Sequence, residues 1–340
     1  MSKPWLSVLI PTYNGEKYLV KALNSIAIQD DFDIECLAID DGSTDKTITI
    51  LNSFQDRIPL KIIQREPQRN WVANTNYLLN LAQADYVCFL HQDDMWLASR
   101  LAVIREIITQ FPQASLILNP SFFVNLREQK LGLWRCPLPS LPILINPDVM
   151  IGKLLVQNFI SIPAPVFKRE IALQVGGLDE TLWYTADWYF WLKLAQDGQI
   201  IYYPKPLSVF RIHSHSQTVT RSSYIQDFRQ QLESVIDEHL EAWNTSSQTK
   251  SKIRKIANFS IAHWRNFIFT RYRRFSVCFI HLECSTLWSL ISSRSHGNCH
   301  SFRTRFSLGS TGDFFQFLRQ FKNETHQPQE LTEKGSSGIV

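Results

Sequence analysis

The sequence predicts an α/β fold, a mostly parallel sheet flanked by helices, with a helical extension at its C-terminal end. Three observations predict it. Apolar runs of strand length alternate with segments of helical periodicity through the first 120 residues. The runs are continuous rather than alternating in polarity, as strands covered on both faces are. From about residue 222 the pattern becomes helical.

The elements follow in order. "WLSVLIP" is a first strand that stops at Pro11, and "GEKYLVKALNSIAIQ" sets Tyr18, Leu19, Ala22, Leu23 and Ile26 at helical spacing. "IECLAID" is a second strand, and "STDKTITILNSF" opens with a capping residue and then reads helical. "PLKIIQR" and "DYVCFLH" are the third and fourth strands, with the helix "WVANTNYLLNLAQ" between them. "LASRLAVIREIITQF" is an amphipathic helix ended by Pro112, and "ASLILNP" is a fifth strand. Residues 120–165 are rich in Pro and Leu and read as loops and short strands suited to walling an acceptor site. "IPAPVF" then reads as a strand, "KREIALQVGGLDE" as a helix stopped by Gly176 and Gly177, and "ADWYFWLKLAQDG" as a helix. "QIIYYPKPLSVFRIH" reads as a hairpin, and three helical stretches follow, the last of them Phe275–Ile291. The expected organisation is a catalytic domain over 1–220, a helical extension over 221–295 and a poorly ordered tail over 296–340.

Charge is unevenly spread. Residues 1–216 carry 19 basic and 21 acidic side chains, whereas 217–340 carry 16 and 10. Within 250–305 there are 11 Lys or Arg against the single acid Glu283, which suits an anionic neighbour. Two readings of this stretch stand: a peripheral membrane contact, with Arg271, Arg273 and Arg274 at headgroups while Trp264, Phe267, Phe269 and Trp288 insert, or a helical appendage with a solvated basic face. Nucleic-acid binding is not expected, since no reading motif accompanies the charge. No run reaches membrane-spanning length. The six cysteines show neither a CxxC pair nor metal-ligand spacing, and no leader is apparent, so the expected location is cytoplasmic, with the inner membrane face as the peripheral alternative.

In such sheets ligands bind beyond the carboxyl ends of the strands. The residues there are Thr12, Tyr13 and Asn14, then Asp40 and Asp41, then Arg65, then His91 to Asp94. Adjacent carboxylates at 93 and 94 repel unless a cation lies between them, and hard divalent ions take oxygen ligands and bridge to phosphate. The plainer reading makes Asp94 a helix cap. One of Asp40 and Asp41 could accept from a ribose hydroxyl or base N–H while the other orients a capping turn.

Taken together, "LSVLIPTYNGEKYLVKALNSI", "LAIDDGSTDKT", "YVCFLHQDDMW", "VGGLDE" and "ADWYFWLKLA" resemble the family 2 glycosyltransferases of GT-A fold over roughly residues 5–220. The resemblance implies metal-dependent, inverting transfer of a sugar from a nucleotide-diphosphate sugar to a hydroxyl. It implies that Pro11, Thr12 and Tyr13 hold the nucleotide with Tyr13 stacked on the base, that Asp41 bonds the base, and that Arg69 or Arg65 steadies the acids or phosphates. Val72 stands where many members have Gly. Asp93 and Asp94 would hold Mn²⁺ or Mg²⁺ and the diphosphate, with His91 or His213 as a further ligand; His91 replaces a common Asp and could instead bond ribose or pack. Arg211 would offset leaving-group charge, Gly177 and Asp179 would approach the acceptor, and Asp187 would be the general base, although Ala186 replaces the usual Glu before it. A UDP- or dTDP-sugar is favoured over a GDP-sugar, because a stacked Tyr and one Asp suit a pyrimidine. A glycan or lipid-linked acceptor in polysaccharide assembly follows from the family. The competing readings are a nucleotidyltransferase, which lacks its Gly-rich cationic loop after strand one, and a non-catalytic binding module.

Overall fold

The computed structural model describes residues 3–196, 198–213 and 225–271, with side chains described for 226–261 in the last stretch. Twelve strands and nine helices occur among these residues. β1 (Leu6–Thr12), β2 (Ile34–Asp40), β3 (Leu60–Gln64) and β4 (Tyr86–Phe89) are separated by α1 (Leu19–Ala27), α2 (Thr47–Asn52) and α3 (Trp71–Leu81). β5 (Met95–Trp96), α4 (Arg100–Gln110) and β6 (Ala114–Leu118) follow, then β7 (Ser121–Val124), β8 (Lys130–Trp134), β9 (Ile143–Ile145) and α5 (Pro147–Val156). β10 (Val166–Lys168), α6 (Arg169–Gln174), α7 (Ala186–Leu194), β11 (Gln199–Tyr202) and β12 (Ser208–Arg211) complete the sheets, and α8 (Ile225–Ala242) and α9 (Ser247–Arg271) form the extension.

The large sheet runs β3-β2-β1-β4-β10-β6-β11-β9. β1 to β4 are parallel to one another, β10 lies antiparallel between β4 and β6, and β11 is parallel to β6. All seven β1 residues are buried, as a strand covered on both faces requires. α1 buries Leu19, Ala22, Leu23 and Ile26, a stripe at i, i+3, i+4 and i+7. Phe89 on β4, Phe167 on β10 and Phe190 and Trp191 on α7 make one aromatic cluster with centroids 5.1 to 6.1 Å apart. That cluster seats α7 on the sheet.

The predicted hairpin over 199–213 is corrected. β11 pairs with β6 and β9 in the large sheet, whereas β12 pairs with β5 and β7 in a second, four-stranded sheet. Pro204 and Pro206 between them supply no ladder donor, so the chain leaves one sheet and enters the other. The 120–165 region holds three strands and also α5, whose start is set by Asn146: its side chain accepts from the Asp148 and Val149 amides, with Pro147 in the first turn.

α8 buries Phe228, Leu232, Val235, Ile236 and Leu240 along one face, and α9 buries Ile253 and Ala257 against α5. Trp243 Nε1 donates to Asp148 Oδ1 at 2.8 Å. Arg254 pairs with Asp237 at 2.7 Å and Lys250 Nζ donates to the Glu241 carbonyl at 2.9 Å. The described part of the extension is therefore a packed appendage. The side chains proposed to meet a membrane, and the third helical stretch, lie outside the described residues. Among the described residues no helix is long and apolar enough to cross a membrane.

Arg100 is fully buried beneath the junction of the two sheets. Its Nη1 donates to Asn119 Oδ1 at 3.1 Å and its Nη2 to the Ala164 carbonyl at 3.0 Å, with Trp96 5.1 Å from the guanidinium. Burial pushes this guanidinium down to about 10, against a smaller opposing effect from Cys88. Arg100→Met removes both donors and leaves two buried acceptors unpaired. It is expected to destabilise the fold by about 2–4 kcal/mol, read as a lower urea midpoint with unchanged slope.

Candidate active site

The parallel strands deliver their carboxyl ends to one edge. After β2, Asp40 Oδ2 accepts the amides of Gly42 and Ser43 at 3.1 and 2.9 Å, so this acid makes the turn. Asp41 Oδ1 accepts the amides of Gln68 at 2.6 Å and Arg69 at 3.1 Å, which pins the loop after β3. Arg69 then lies with its guanidinium 4.2 Å from the Tyr13 ring centroid. Gly42 has φ +76, and a Cβ there would lie 2.6 Å from Pro67 Cγ, so the two loops meet only over a glycine. Thr12 spends its hydroxyl on the Ile39 carbonyl at 3.0 Å and Pro11 is buried within β1. Tyr13, 43% exposed, is the residue of that turn that offers a free aromatic face. Gln92, passed over in the sequence, locks the ends of β1 and β4 together: its Oε1 accepts the Tyr13 amide at 2.8 Å and its Nε2 donates to the Tyr13 carbonyl at 2.9 Å.

The acids after β4 differ. Asp93 Oδ2 lies 2.8 Å from His213 Nε2, so that nitrogen carries the proton when the carboxylate is ionised. Burial raises the Asp93 pKa, but the His213 bond and the two nearby imidazoles outweigh it and hold the group below the ordinary range. Asp94 is 2% exposed and its Oδ1 accepts the Arg211 amide at 3.0 Å. Burial, then the Asp93 charge, pushes its pKa well up against that bond. Asp94 thus anchors β12 through Oδ1. Arg211 is placed differently from expectation. Its guanidinium is 1% exposed, donates to the carbonyls of Asp93 at 3.0 Å and Asn125 at 3.2 Å, and pairs with Glu128 at 3.3 Å. It holds the acidic turn from below and offers little to a phosphate.

His91 packs edge-on to Trp71, centroids 5.2 Å apart, and its buried Nε2 has no hydrogen-bond partner. Burial lowers its pKa despite nearby Asp93, so the ring is neutral. Val72 is fully buried in the first turn of α3, where Asn70 caps its amide at 3.0 Å. Trp71 Nε1 donates to the Trp183 carbonyl at 3.4 Å, and so ties this edge to the segment before α7. α3 also holds the Gly177–Glu180 turn: Asn76 accepts the Leu178 amide at 2.9 Å and donates to the Leu178 carbonyl at 2.8 Å. Gly177 has φ +67, and a Cβ there would lie 2.6 Å from Asn76 Oδ1. Its absent side chain serves this contact. Asp179 accepts from the amide and hydroxyl of Thr181 at 2.8 and 2.7 Å, a local turn.

α7 runs back against β11, so its N-terminus lies at the carboxyl edge of the sheet. Asp187 sits in that first turn, with Oδ2 accepting from Asn158 Nδ2 at 3.3 Å and Oδ1 from the Trp188 amide at 2.7 Å. Burial pushes its pKa up to about 6 against those two donors. Asn158 lies in the region that sequence reading left irregular.

The profile of the Glycosyl transferase family 2 family matches residues 7–151. The chain carries a family 2 glycosyltransferase domain. An uncharacterized glycosyltransferase of Haemophilus influenzae is 25% identical over 218 residues, 63% of this chain and 71% of that protein. One of Mycoplasma genitalium is 31% identical over 184 residues, 52% of this chain and 59% of that protein. Among solved structures, S. aureus TarS 1-349 in complex with UDP-GlcNAc superposes with a TM-score of 0.60 at 23% identity, covering 83% of this chain and 78% of that one. A mannosyltransferase of Pyrobaculum calidifontis in complex with GDP-Man and Mn²⁺ gives 0.53 at 16%, covering 86% and 82%. At these identities the structural likeness bears on the fold, and it is the GT-A fold. The family and the named relatives are glycosyltransferases, and the nucleotidyltransferase reading falls away.

A divalent metal fits the residues present in one place. Asp93 Oδ2 and His213 Nε2 lie 2.8 Å apart, so an ion held by both would take the place of the proton that Nε2 donates to the carboxylate. Among the described residues no group of three or more His, Cys, Asp or Glu side chains gathers, so the protein offers this oxygen and this nitrogen and leaves the remaining positions to ligand and water. Gly177→Ala is expected to lower stability by about 1–3 kcal/mol, from strain at positive φ and the clash with Asn76, read as a fall in Tm.

Proposed function

We propose that this glycosyltransferase moves a sugar from a UDP- or dTDP-sugar to a hydroxyl of a glycan or lipid-linked acceptor, with inversion at the anomeric carbon, in the assembly of a polysaccharide or related glycan. The observation that carries the reading is Asp187: a carboxylate in a half-buried site at the sheet's carboxyl edge, with its pKa lifted to about 6 and its oxygens oriented by Asn158 and the helix start. Such a group is ionised at neutral pH yet basic enough to take the acceptor proton as the oxygen attacks. Tyr13 and Arg69 form a stacking platform for the base, and Asp41, with Oδ1 engaged by the loop, has Oδ2 to accept a pyrimidine N–H. TarS in complex with UDP-GlcNAc supports a uridine donor by likeness. Asp93 and His213 would hold Mn²⁺ in preference to Mg²⁺, since an imidazole suits the former, and the ion would neutralise the departing diphosphate. Arg211 and Asp94 keep Asp93 in place for this.

The test is a panel of UDP-glucose, UDP-galactose, UDP-N-acetylglucosamine, dTDP-glucose and GDP-mannose, read as nucleoside diphosphate released. A UDP- or dTDP-sugar is expected to turn over; turnover of GDP-mannose alone would sink the donor assignment. EDTA should abolish release and Mn²⁺ should restore it better than Mg²⁺, while His213→Ala should raise the Mn²⁺ concentration needed.

The pH dependence has a definite sign. Asp187 must be ionised to act, so kcat/KM should fall as pH drops through about 6. Asn158→Ala removes a donor that favours the carboxylate, and should move that acidic limb upward. Asp187→Asn should cost on the order of 10²–10⁴ in kcat. It should also raise Tm at neutral pH, because a carboxyl whose folded pKa is lifted costs stability as pH rises through its unfolded value.

A further inference from the structure

We infer that the catalytic unit extends past the matched family region, and that Gln231 on α8 is a positioning residue for the base Asp187. The inference rests on Asp187 being that base. α7 does not lock its own start: Thr185, its N-cap, makes no side-chain cap bond to the helix amides. The Thr185 hydroxyl instead donates to Gln231 Oε1 at 3.4 Å, and the same oxygen accepts the Tyr184 amide at 3.3 Å. One side-chain oxygen on α8 thus takes two donors from the two residues that lead into α7. Directly beside it, the Phe228 ring meets the Tyr184 ring with centroids 4.2 Å apart and planes at 71°. One turn into α7, the Tyr189 hydroxyl bonds Glu238, also on α8. The segment from Gly177 to Asp187 is therefore held from two sides. α3 grips its beginning through Asn70 and Asn76 and its middle through Trp71. α8 grips its end.

The chemistry of this contact sets what a substitution should do. Both bonds need only an acceptor at position 231, and Glu supplies one where Leu of similar bulk does not. Without it, the turn before Asp187 loses two restraints while the donor pocket, built on Tyr13, Asp41 and Arg69, keeps its own. A small displacement of a catalytic group costs rate rather than donor affinity. We therefore compare the full-length wild type with Gln231→Leu, Gln231→Glu and Asp187→Asn at pH 8, where Asp187 is ionised, using the UDP-sugar that gives the fastest nucleotide release in the panel above. The expected result is a fall in kcat of roughly 10- to 100-fold for Gln231→Leu, a donor KM within about twofold of wild type, and recovery of most of the loss in Gln231→Glu. An unchanged kcat in Gln231→Leu beside a strong loss in Asp187→Asn would overturn the role of Gln231 and leave the base in place. Equal losses in Gln231→Leu and Gln231→Glu, with a raised donor KM and a lower Tm, would show a merely structural contact and overturn it too. Full activity in Asp187→Asn would remove the base assignment, and this inference with it.

Discussion

Two neighbouring carboxylates in a buried turn cannot both keep their charge without help. The arrangement around Asp93 and Asp94 resolves this by giving them unlike surroundings. The His213 bond and the two nearby imidazoles favour the anion at 93, and enclosure beside that anion favours the proton at 94. Arg211 opposes the proton at 94, yet it holds both acids in one turn. It bonds Asp94 through its backbone, Asp93 through its guanidinium, and Glu128 across the second sheet. The small sheet exists, in this sense, to bring a cation and an imidazole from β12 under the end of β4.

The rest of the edge repeats the same economy of side chains used as substitutes for backbone. Gln92 pairs with both polar groups of the Tyr13 peptide, as a neighbouring strand would. Asn76 does so for Leu178, and Asn70 caps α3. Amide groups suit this work because each carries an acceptor and two donors on a short stem. They join elements at the one place where strands have ended and ladder bonds have run out.

The sheet was legible in the sequence because strands buried on both faces are written as unbroken apolar runs, and β1, β2, β4 and β6 are such runs, whereas β3, at the sheet edge, exposes Lys61 and Gln64. The order of the elements and the location of the polar strand ends followed from that. The contents of 120–165 were not legible, since short strands of a half-exposed sheet lack a run, although Asn146-Pro147-Asp148 carried a helix-start pattern that marks α5. Burial of Arg211 and Arg100 was not legible either. A charged residue reads as solvated until its carbonyl partners are known, and those partners leave no mark in the sequence. Asn158 is the same case in miniature: an amide in a loop gains meaning only from the carboxylate beside it. Gly177 was read for what it might let approach from outside, and its neighbour turned out to be Asn76.

β10 runs against its two neighbours in the large sheet. A parallel row presents only the finishing ends of its strands to the ligand edge. Reversing one strand presents a beginning there as well, so the chain arriving at β10 crosses that edge before it enters the sheet. Asn158 to Ala164 are on that incoming path, which is how an amide from one segment meets a carboxylate that another segment launches at the start of α7. A single change of direction thus lets segments far apart in the chain converge on one catalytic oxygen, with no long loop needed to carry them.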